Sequence, residues 1–236
     1  VCGDSYQSFE QLITYCTQTN PKALILGGDI YDSPAPPPDA VRVFMDGVLK
    51  LAQAHIPLFY IVGNHERHHA LPWAEVYPYA LHLPGVGEMA QKQGILLLDG
   101  LWVMGLDNMP PEELKEALPK LSPAVSSLVL HQACKGAIPG IVDRFDLDPE
   151  WIPPTVKLVL MGDIHKPWEH TREVLAGTLQ HVTKFIYAGS TCMQSLDEPP
   201  NKRFLVIHVD HNRPGENSAD FIVESVGISQ ESQNSL

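Results

Sequence analysis

The sequence lacks the features that mark membrane proteins and disulfide-stabilised secreted proteins. No stretch of its 236 residues approaches the roughly 18 consecutive apolar residues of a membrane-spanning helix. Its four cysteines are widely scattered without paired spacing, which is typical of reduced thiols and argues against a zinc knuckle or a disulfide framework. Internal repeats and long low-complexity tracts are also absent. We therefore expect one globular domain in the cytoplasm, with no membrane partner.

Positive charge is scarce. The chain has 16 Lys and Arg against 28 Asp and Glu, which gives a net charge of −12. This overall field repels phosphate and argues against broad, nonspecific binding of polyanions. It does not exclude an enzyme that acts on nucleic acid, because bound divalent cations reverse the local field at a carboxylate-rich site and a partner can supply a basic surface.

The first part of the chain alternates helices with short apolar strands. Apolar residues at helical spacing predict helices over residues 6–19 and 39–54. Each helix is followed by an apolar segment, at residues 23–26 and 57–62, that predicts a buried strand. This alternation is the signature of parallel βαβ units.

The second half of the chain is richer in predicted strands. They cover residues 95–98, 102–106, 127–130, 157–161, 185–188, 204–209 and 221–224. Residues 111–118 predict a short surface helix. We expect a four-layer α-β-β-α sandwich, an α/β fold in which two facing mixed sheets are flanked by helices. The polar tail at residues 229–236 is expected to be disordered.

Side chains that can bind a metal ion follow four of the apolar segments. They are Asp29, Asn64, His131, Asp163 and His165. Ligands in open α/β sheets bind outside the carboxyl ends of the strands, where all five residues fall. Asp and Asn favour hard cations, whereas His accepts Mn, Fe, Zn or Ni. The pattern predicts a binuclear metal site, with Mn²⁺ or Fe²⁺ ahead of Mg²⁺ alone.

Each motif taken alone has a simpler explanation. The Gly-Gly-Asp segment at residues 27–29 is a common turn, and a lone histidine such as His131 is more often a satisfied core or loop residue. Asp163 and His165 converge on one side only if the backbone between them is extended. Asp32 is equally suited to orienting a ligand and to stabilising a turn. The prediction depends on the four strand ends occurring together.

The chemistry that such a site explains most readily is metal-assisted cleavage of a phosphate ester. Two divalent ions ~3.5–4 Å apart can clamp a phosphate, with one of them activating water. Such a pair needs a bridging carboxylate, for which Asp29 is the natural candidate, and the preceding glycines let the backbone turn sharply. His65, next to Asn64, could stabilise the transition state or protonate the leaving alkoxide.

The order of the motifs resembles that of the calcineurin-like metallophosphoesterases. The resemblance rests on Gly-Asp at residues 28–29, Gly-Asn-His-Glu at 63–66, the strand-terminal His131 and Gly-Asp-x-His at 162–165. Asp163 stands where the family more usually has His, and it adds negative charge to the site. Within the family, the closest match is to the SbcD-type DNA repair exonucleases, through segments 32–57, 162–167 and 187–198.

The resemblance implies a role for each candidate residue. Asp29 would bridge two divalent metal ions, most readily Mn²⁺, with Fe, Mg and Zn as alternatives. Asn64, His131 and Asp163 would complete one metal site, and His165 would belong to the other.

The resemblance also implies a catalytic residue and a function. His65 would be the catalytic histidine, and residues 1–228 would form the metallophosphoesterase core. The implied activity is that of a Mn²⁺-dependent DNA exonuclease or endonuclease in DNA repair or recombination. It would work with an SbcC-like ATPase subunit and form a homodimer.

The chain departs from the family pattern at its N-terminus. The family begins with a strand that ends in Asp-x-His and supplies two ligands to the first metal ion, and nothing before Tyr6 matches it. We expect the chain to start after that strand or to omit it, and to lack the capping domain beyond about residue 224. The first metal ion would then keep only Asp29 and His165. Two alternatives stay open: an enzyme for small phosphodiesters or phosphoproteins, and a catalytically silent scaffold.

Overall fold

The computed structural model describes residues 3–66, 80–83, 95–98, 101–140, 145–176, 179–192, 198, 201–210 and 220–228. Within these ranges, no helix is long and apolar enough to cross a membrane. Cys16 and Cys134 are buried free thiols. The polar tail at residues 229–236 lies outside the described residues.

Helices and strands alternate in the first part of the described chain, and strands dominate the second. The helices are α1 (Gly3–Thr19), α2 (Pro38–Gln53) and α3 (Pro111–Ala117). The strands are β1 (Leu24–Leu26), β2 (Leu58–Tyr60), β3 (Ala80–His82), β4 (Ile95–Leu98), β5 (Leu101–Leu106), β6 (Ser127–His131), β7 (Leu158–Gly162), β8 (Trp168–Ala176), β9 (Leu179–Tyr187), β10 (Lys202–Asp210) and β11 (Asp220–Ile228).

The strands form three sheets. Strands β1, β2 and β3 make a parallel sheet in that order. A six-stranded sheet has the order β4-β5-β6-β7-β9-β8, in which β5, β6, β7 and β9 run parallel and the outer strands are antiparallel to their neighbours. Strands β10 and β11 form an antiparallel pair. The carboxyl ends of β1 and β2, and those of β6 and β7, therefore each lie side by side.

Alternating strand residues divide the interior into three apolar layers. On the three-stranded sheet, Leu24, Leu58 and Tyr60 pack with residues of α1 and α2. The opposite face of that sheet meets the six-stranded sheet through a cluster that includes Phe59, Ile61, Val103, Val129, Leu158 and Ile186. The far face of the six-stranded sheet packs on α3 through Met104, Leu106, Leu128, Leu130 and Leu114. This order of layers confirms the predicted α-β-β-α sandwich.

Two edge regions of the sheets were not predicted. Strand β8 has no counterpart among the predicted strands, and β9 begins at Leu179 instead of residue 185. Polar side chains such as Glu169 and Glu173 are exposed on β8, because an edge strand in an antiparallel pair can face water and need not form an apolar run. Strand β3 is only three residues long, which is too short for a periodic signal.

Gly105 on β5 lies where the two facing sheets pack together. A Cβ atom built on it would lie 2.5 Å from Cγ2 of Ile61 and would overlap the side chain of Leu83. Both neighbours are fully buried, so neither can move into solvent. The spacing between the sheets at this point therefore requires glycine.

Replacing Gly105 with alanine is expected to lower the free energy of unfolding by about 1–3 kcal/mol, because overpacking forces the sheets apart. Urea denaturation measures the change. Gly227→Ala on β11 is the matched control, since its added Cβ would meet nothing within 4 Å, and it should stay within about 0.5 kcal/mol of wild type. Equal losses in the two variants would contradict this account of the sheet spacing.

Candidate metal centre

Four of the five predicted ligands converge where the carboxyl ends of β1, β2, β6 and β7 meet. Asp29 follows β1 after a two-glycine turn, and Asn64 lies in the loop after β2. His131 is the last residue of β6, and Asp163 directly follows β7. The two facing sheets each supply two of these residues, so the site forms only when the sheets pack together.

His131 lies at the middle of this group, and its side chain is 1% exposed. Its Nδ1 lies 2.7 Å from the carbonyl oxygen of Gly27, which fixes Nδ1 as a hydrogen-bond donor. The other ring nitrogen, Nε2, lies 3.0 Å from Oδ1 of Asn64, 3.1 Å from Oδ2 of Asp29 and 3.8 Å from Oδ1 of Asp163. A backbone carbonyl that holds Nδ1 and leaves Nε2 facing oxygen ligands is typical of a metal-binding histidine.

Glycines make room for this arrangement. Gly28 has φ +90°, and a Cβ on it would lie 2.5 Å from Nδ1 of His131. A Cβ on Gly162 would lie 2.6 Å from the same atom and would overlap the carbonyl of Gly27. A Cβ on Gly63 would lie 2.5 Å from the backbone nitrogen of Asp29. A side chain at any of these three positions would therefore collide with His131, Asp29 or the backbone of Gly27.

The electrostatics of the group couple His131 to two carboxylates. Burial alone would lower the His131 pKa, but the hydrogen bond and charge of Asp29 outweigh it and raise the pKa above its ordinary 6.5. Burial opposes ionisation of Asp29 as well, yet His131 holds the Asp29 pKa below 3.8. Burial raises the pKa of Asp163, and the nearby carboxylates of Asp146 and Asp29 raise it further against the opposing charge of His131. This concentration of negative charge favours binding of a cation.

The amide of Asn64 can face the group in two orientations. In one, Oδ1 lies 3.0 Å from Nε2 of His131. In the other, the amide nitrogen can donate to the carboxylate oxygens of Asp29, which lie 3.1 and 3.3 Å away. A metal ion would select the first orientation, because it needs the amide oxygen and a free lone pair on Nε2.

His65 lies at the exposed rim of the site, with 47% of its side chain accessible. Its backbone N–H donates to Oδ1 of Asp29 at 3.0 Å, which ties the histidine to the centre. Its ring Nδ1 lies 3.2 Å from Oδ1 of Asp32 and 3.3 Å from the carbonyl oxygen of Asp32. Asp32 therefore contacts the ring of His65, which is not one of the predicted metal ligands.

Asp163 and His165 do not share an extended segment. Strand β7 ends at Gly162, and Asp163 has φ +90°, so the condition for their convergence on one side of a strand is not met. Asp163 approaches His131, whereas Nδ1 of His165 lies 2.7 Å from Oε1 of Glu198. His165 is still near enough for its charge to act on the pKa of Asp163.

Sequence reasoning assigned no role to Glu66, whose burial is complete. Its Oε1 accepts a hydrogen bond from the backbone N–H of Tyr31 at 2.9 Å, and its Oε2 accepts one from Gly63 at 3.1 Å. Glu66 thus joins the loop that carries Asp29 to the loop that carries Asn64. Its presence in the Gly-Asn-His-Glu motif was the available signal, but spacing does not reveal that an acidic side chain is buried.

Asn108 was also missed. Its Nδ2 donates to the backbone carbonyl of His131 at 2.8 Å, and its backbone N–H donates to the carbonyl of Val62 at 2.9 Å. Asn108 therefore connects the ends of β2 and β6 from the loop after β5. No periodic or motif signal in the sequence points to it.

The donor set fits a divalent ion. Two carboxylates, one amide oxygen and one imidazole nitrogen suit a hard or borderline cation, and the glycines keep side chains away from it. Within the described ranges, no three His, Cys, Asp or Glu side chains form a ready-made metal-binding group. Asp29 and His131 are instead paired with each other, so an incoming ion would have to replace the proton between them.

The sequence of this chain is similar to those of a known protein family and of several known proteins. A sequence model of the calcineurin-like phosphoesterase family matches residues 1–133. The DNA double-strand break repair protein Mre11 of Methanococcus maripaludis is 25% identical over 210 residues, which cover 83% of this chain and 53% of that protein. The protein of the same name from Sulfurisphaera tokodaii is 28% identical over 169 residues, or 69% of this chain and 43% of that one. This chain thus spans about half the length of these relatives or less.

Glu66→Gln is expected to reduce stability by about 1–3 kcal/mol at acidic pH, because the amide nitrogen would face a backbone N–H. Burial raises the Glu66 pKa above its ordinary 4.5, so the native state holds this proton more tightly than the unfolded chain does. The contribution of Glu66 to wild-type stability therefore falls as pH rises through about 4.5 towards the higher native pKa, and the variant lacks this titration. The deficit of the variant should shrink with rising pH.

Urea denaturation of both proteins at a series of pH values measures the deficit. Glu224→Gln, at a side chain that is 60% exposed, is the control and should show no deficit at any pH. A deficit that grows with pH would contradict the assignment of Glu66 as a buried carboxylate with a raised pKa.

Proposed function

The chain belongs to the calcineurin-like phosphoesterase family, and we propose that it is a metal-dependent phosphodiesterase that cleaves DNA. The observation that carries this proposal is the convergence of Asp29, Asn64, His131 and Asp163 at one edge of two packed sheets. These residues come from four different strand ends, and their donor atoms face a common point beside His65.

The proposed metal ligands divide between two ions, with Mn²⁺ preferred. Asn64, His131 and Asp163 would hold one ion, His165 would contribute to the other, and Asp29 would bridge them. When bound, such ions supply an activated water nucleophile and neutralise the charge that develops on the phosphate. The backbone hydrogen bonds of His131 and the pairing of His165 with Glu198 keep both rings in fixed orientations.

His65 is the proposed catalytic residue. Attack of water on phosphorus breaks the bond to the sugar oxygen, which leaves as an alkoxide unless it receives a proton. His65 lies at the rim of the site, and its Nδ1 faces Asp32, so its Nε2 is the nitrogen available to donate that proton. The carboxylate and backbone carbonyl oxygens of Asp32, 3.2 and 3.3 Å from Nδ1, hold the orientation of the ring.

DNA is the proposed substrate, and repair or recombination is the proposed process. The matched relatives are named as DNA double-strand break repair proteins, and the sequence motifs resemble those of SbcD-type nucleases. On the same basis, we propose that residues 1–228 form the catalytic core of a cytoplasmic homodimer that works with an SbcC-like ATPase. The net charge of −12 implies that such a partner supplies part of the DNA-binding surface.

A small phosphodiester or a phosphoprotein is the second candidate substrate. The acidic charge of the chain favours it, because a short substrate needs no extended basic surface. Parallel assays with end-labelled duplex DNA and a small chromogenic diester separate the two candidates. Cleavage of the diester alone would reject the nuclease proposal.

His65→Ala is expected to reduce Mn²⁺-dependent cleavage of end-labelled duplex DNA by about 10²–10⁴-fold, since it removes the proton donor. The variant should bind Mn²⁺ as wild type does, because its ring is not a proposed ligand. His208→Ala, at another exposed histidine paired with a carboxylate, is the control and should retain full activity. Undiminished cleavage by the His65 variant would contradict the assigned role.

Mn²⁺ affinity is expected to rise with pH. The His131 pKa is raised above its ordinary 6.5 in the metal-free protein, chiefly by Asp29 against the opposing effect of burial, so the ion competes with a proton for Nε2. This competition weakens as pH rises through the native pKa of His131. Calorimetric titrations from about pH 6 to about pH 8.5, in buffers of different ionisation enthalpy, measure both affinity and proton release. An affinity that does not change over this range would contradict ligation by His131.

A further inference from the structure

A buried ion pair lies behind His165, and the proposed function leaves it unexplained. Glu198 and Lys202 have side chains that are 4% and 3% exposed, and Nζ of Lys202 lies 2.6 Å from Oε2 of Glu198. Removing two charges from water is unfavourable, and an apolar pair of similar volume would often be at least as stable. The position of the pair therefore calls for a reason other than packing.

The two oxygens of the Glu198 carboxylate have different partners. Oε2 accepts hydrogen bonds from Nζ of Lys202 and from Oγ of Ser190, at 2.6 and 3.0 Å. Nζ also donates to Oγ of Ser190 at 2.7 Å, which closes a three-membered network. With Oε2 held from two sides, the carboxylate is oriented so that Oε1 reaches Nδ1 of His165 at 2.7 Å.

Ser190 also holds the backbone of His165. The N–H of Ser190 donates to the carbonyl oxygen of His165 at 3.1 Å. His165 is therefore fixed at its main chain by Ser190 and at its ring by Glu198, although its side chain is 47% exposed. An exposed ring held at two points by a buried network is suited to presenting its free nitrogen outward.

We propose that Glu198 and Lys202 are positioning residues that fix His165 in the Nδ1–H tautomer, with Nε2 directed to a divalent metal ion. A carboxylate paired with an ammonium group can only accept hydrogen bonds, so Nδ1 must carry a hydrogen, and in the neutral ring Nε2 then keeps its lone pair. Carboxylates that orient ligating histidines in this way raise metal affinity. This inference rests on the proposed metal centre.

The tautomer of His165 gives a test that needs neither metal nor activity. In Glu198→Gln, Lys202 still requires an acceptor, so the amide oxygen should turn to Nζ and the amide nitrogen should face Nδ1 of His165. The ring should then change to the Nε2–H tautomer. Two-bond ¹H–¹⁵N correlation spectra of the metal-free full-length protein report the tautomer, with His165→Gln identifying the signals. A Glu198→Gln protein that keeps the Nδ1–H tautomer would overturn the proposal.

Metal affinity gives the second test. Glu198→Gln and Lys202→Met should each weaken Mn²⁺ binding by about 10- to 100-fold, measured by electron paramagnetic resonance titration. If Lys202→Met fails to fold, Ser190→Ala takes its place as a milder variant. It should lose a smaller part of the Mn²⁺ affinity. Glu224→Gln is the matched control, since Glu224 lies 3.2 Å from Nε2 of His208 on an exposed surface, and its affinity should equal that of wild type.

The outcomes separate this inference from the proposed function. If wild type binds no Mn²⁺, the metal centre is rejected, while the tautomer measurement still decides the role of Glu198. If wild type binds two Mn²⁺ ions and folded Glu198→Gln binds both of them equally well, the positioning role is overturned and the metal centre stands. Loss of affinity together with the change of tautomer is the expected result.

Discussion

The hydrogen bond from Nδ1 of His131 to the carbonyl of Gly27 joins the two sheets at the point on which the rest of the site depends. His131 ends a strand of the six-stranded sheet, and Gly27 follows a strand of the three-stranded sheet. The bond leaves Nε2 facing Asp29 and Asn64, and it needs the space that Gly28 and the last glycine of β7 provide. The same hydrogen bond therefore joins the two sheets and sets the geometry of the candidate metal centre.

The charges around His131 explain much of the rest of the site. The group concentrates carboxylates around one histidine, and the pKa of Asp163 is raised partly by its acidic neighbours. Without a cation, this repulsion is relieved by the proton shared between Asp29 and His131. A divalent ion would relieve it more completely, which is how an acidic chain can be suited to an anionic substrate. Glu198 differs, because its own buried lysine already neutralises it.

The sequence was sufficient to predict the layers of the fold and the four polar residues that the structure brings together, because both follow from apolar strands that end in polar residues. The four strand ends were identifiable since parallel strands share one carboxyl edge. Strand β8 was missed because its exposed polar residues break the apolar pattern. The positive φ of Asp163 and the burial of Glu66 and Glu198 depend on contacts between residues far apart in the chain, so local spacing does not signal them.

Anomalous diffraction from crystals grown with Mn²⁺ tests the central claim most directly, because it locates the ion without reference to activity. The account predicts a manganese peak bounded by Asp29, Asn64, His131 and Asp163, with the Asn64 amide oxygen and Nε2 of His131 both directed at it. No peak at this position in a folded protein at saturating Mn²⁺, whether or not a peak lies elsewhere, would contradict the assignment of this edge of the two sheets as the metal centre.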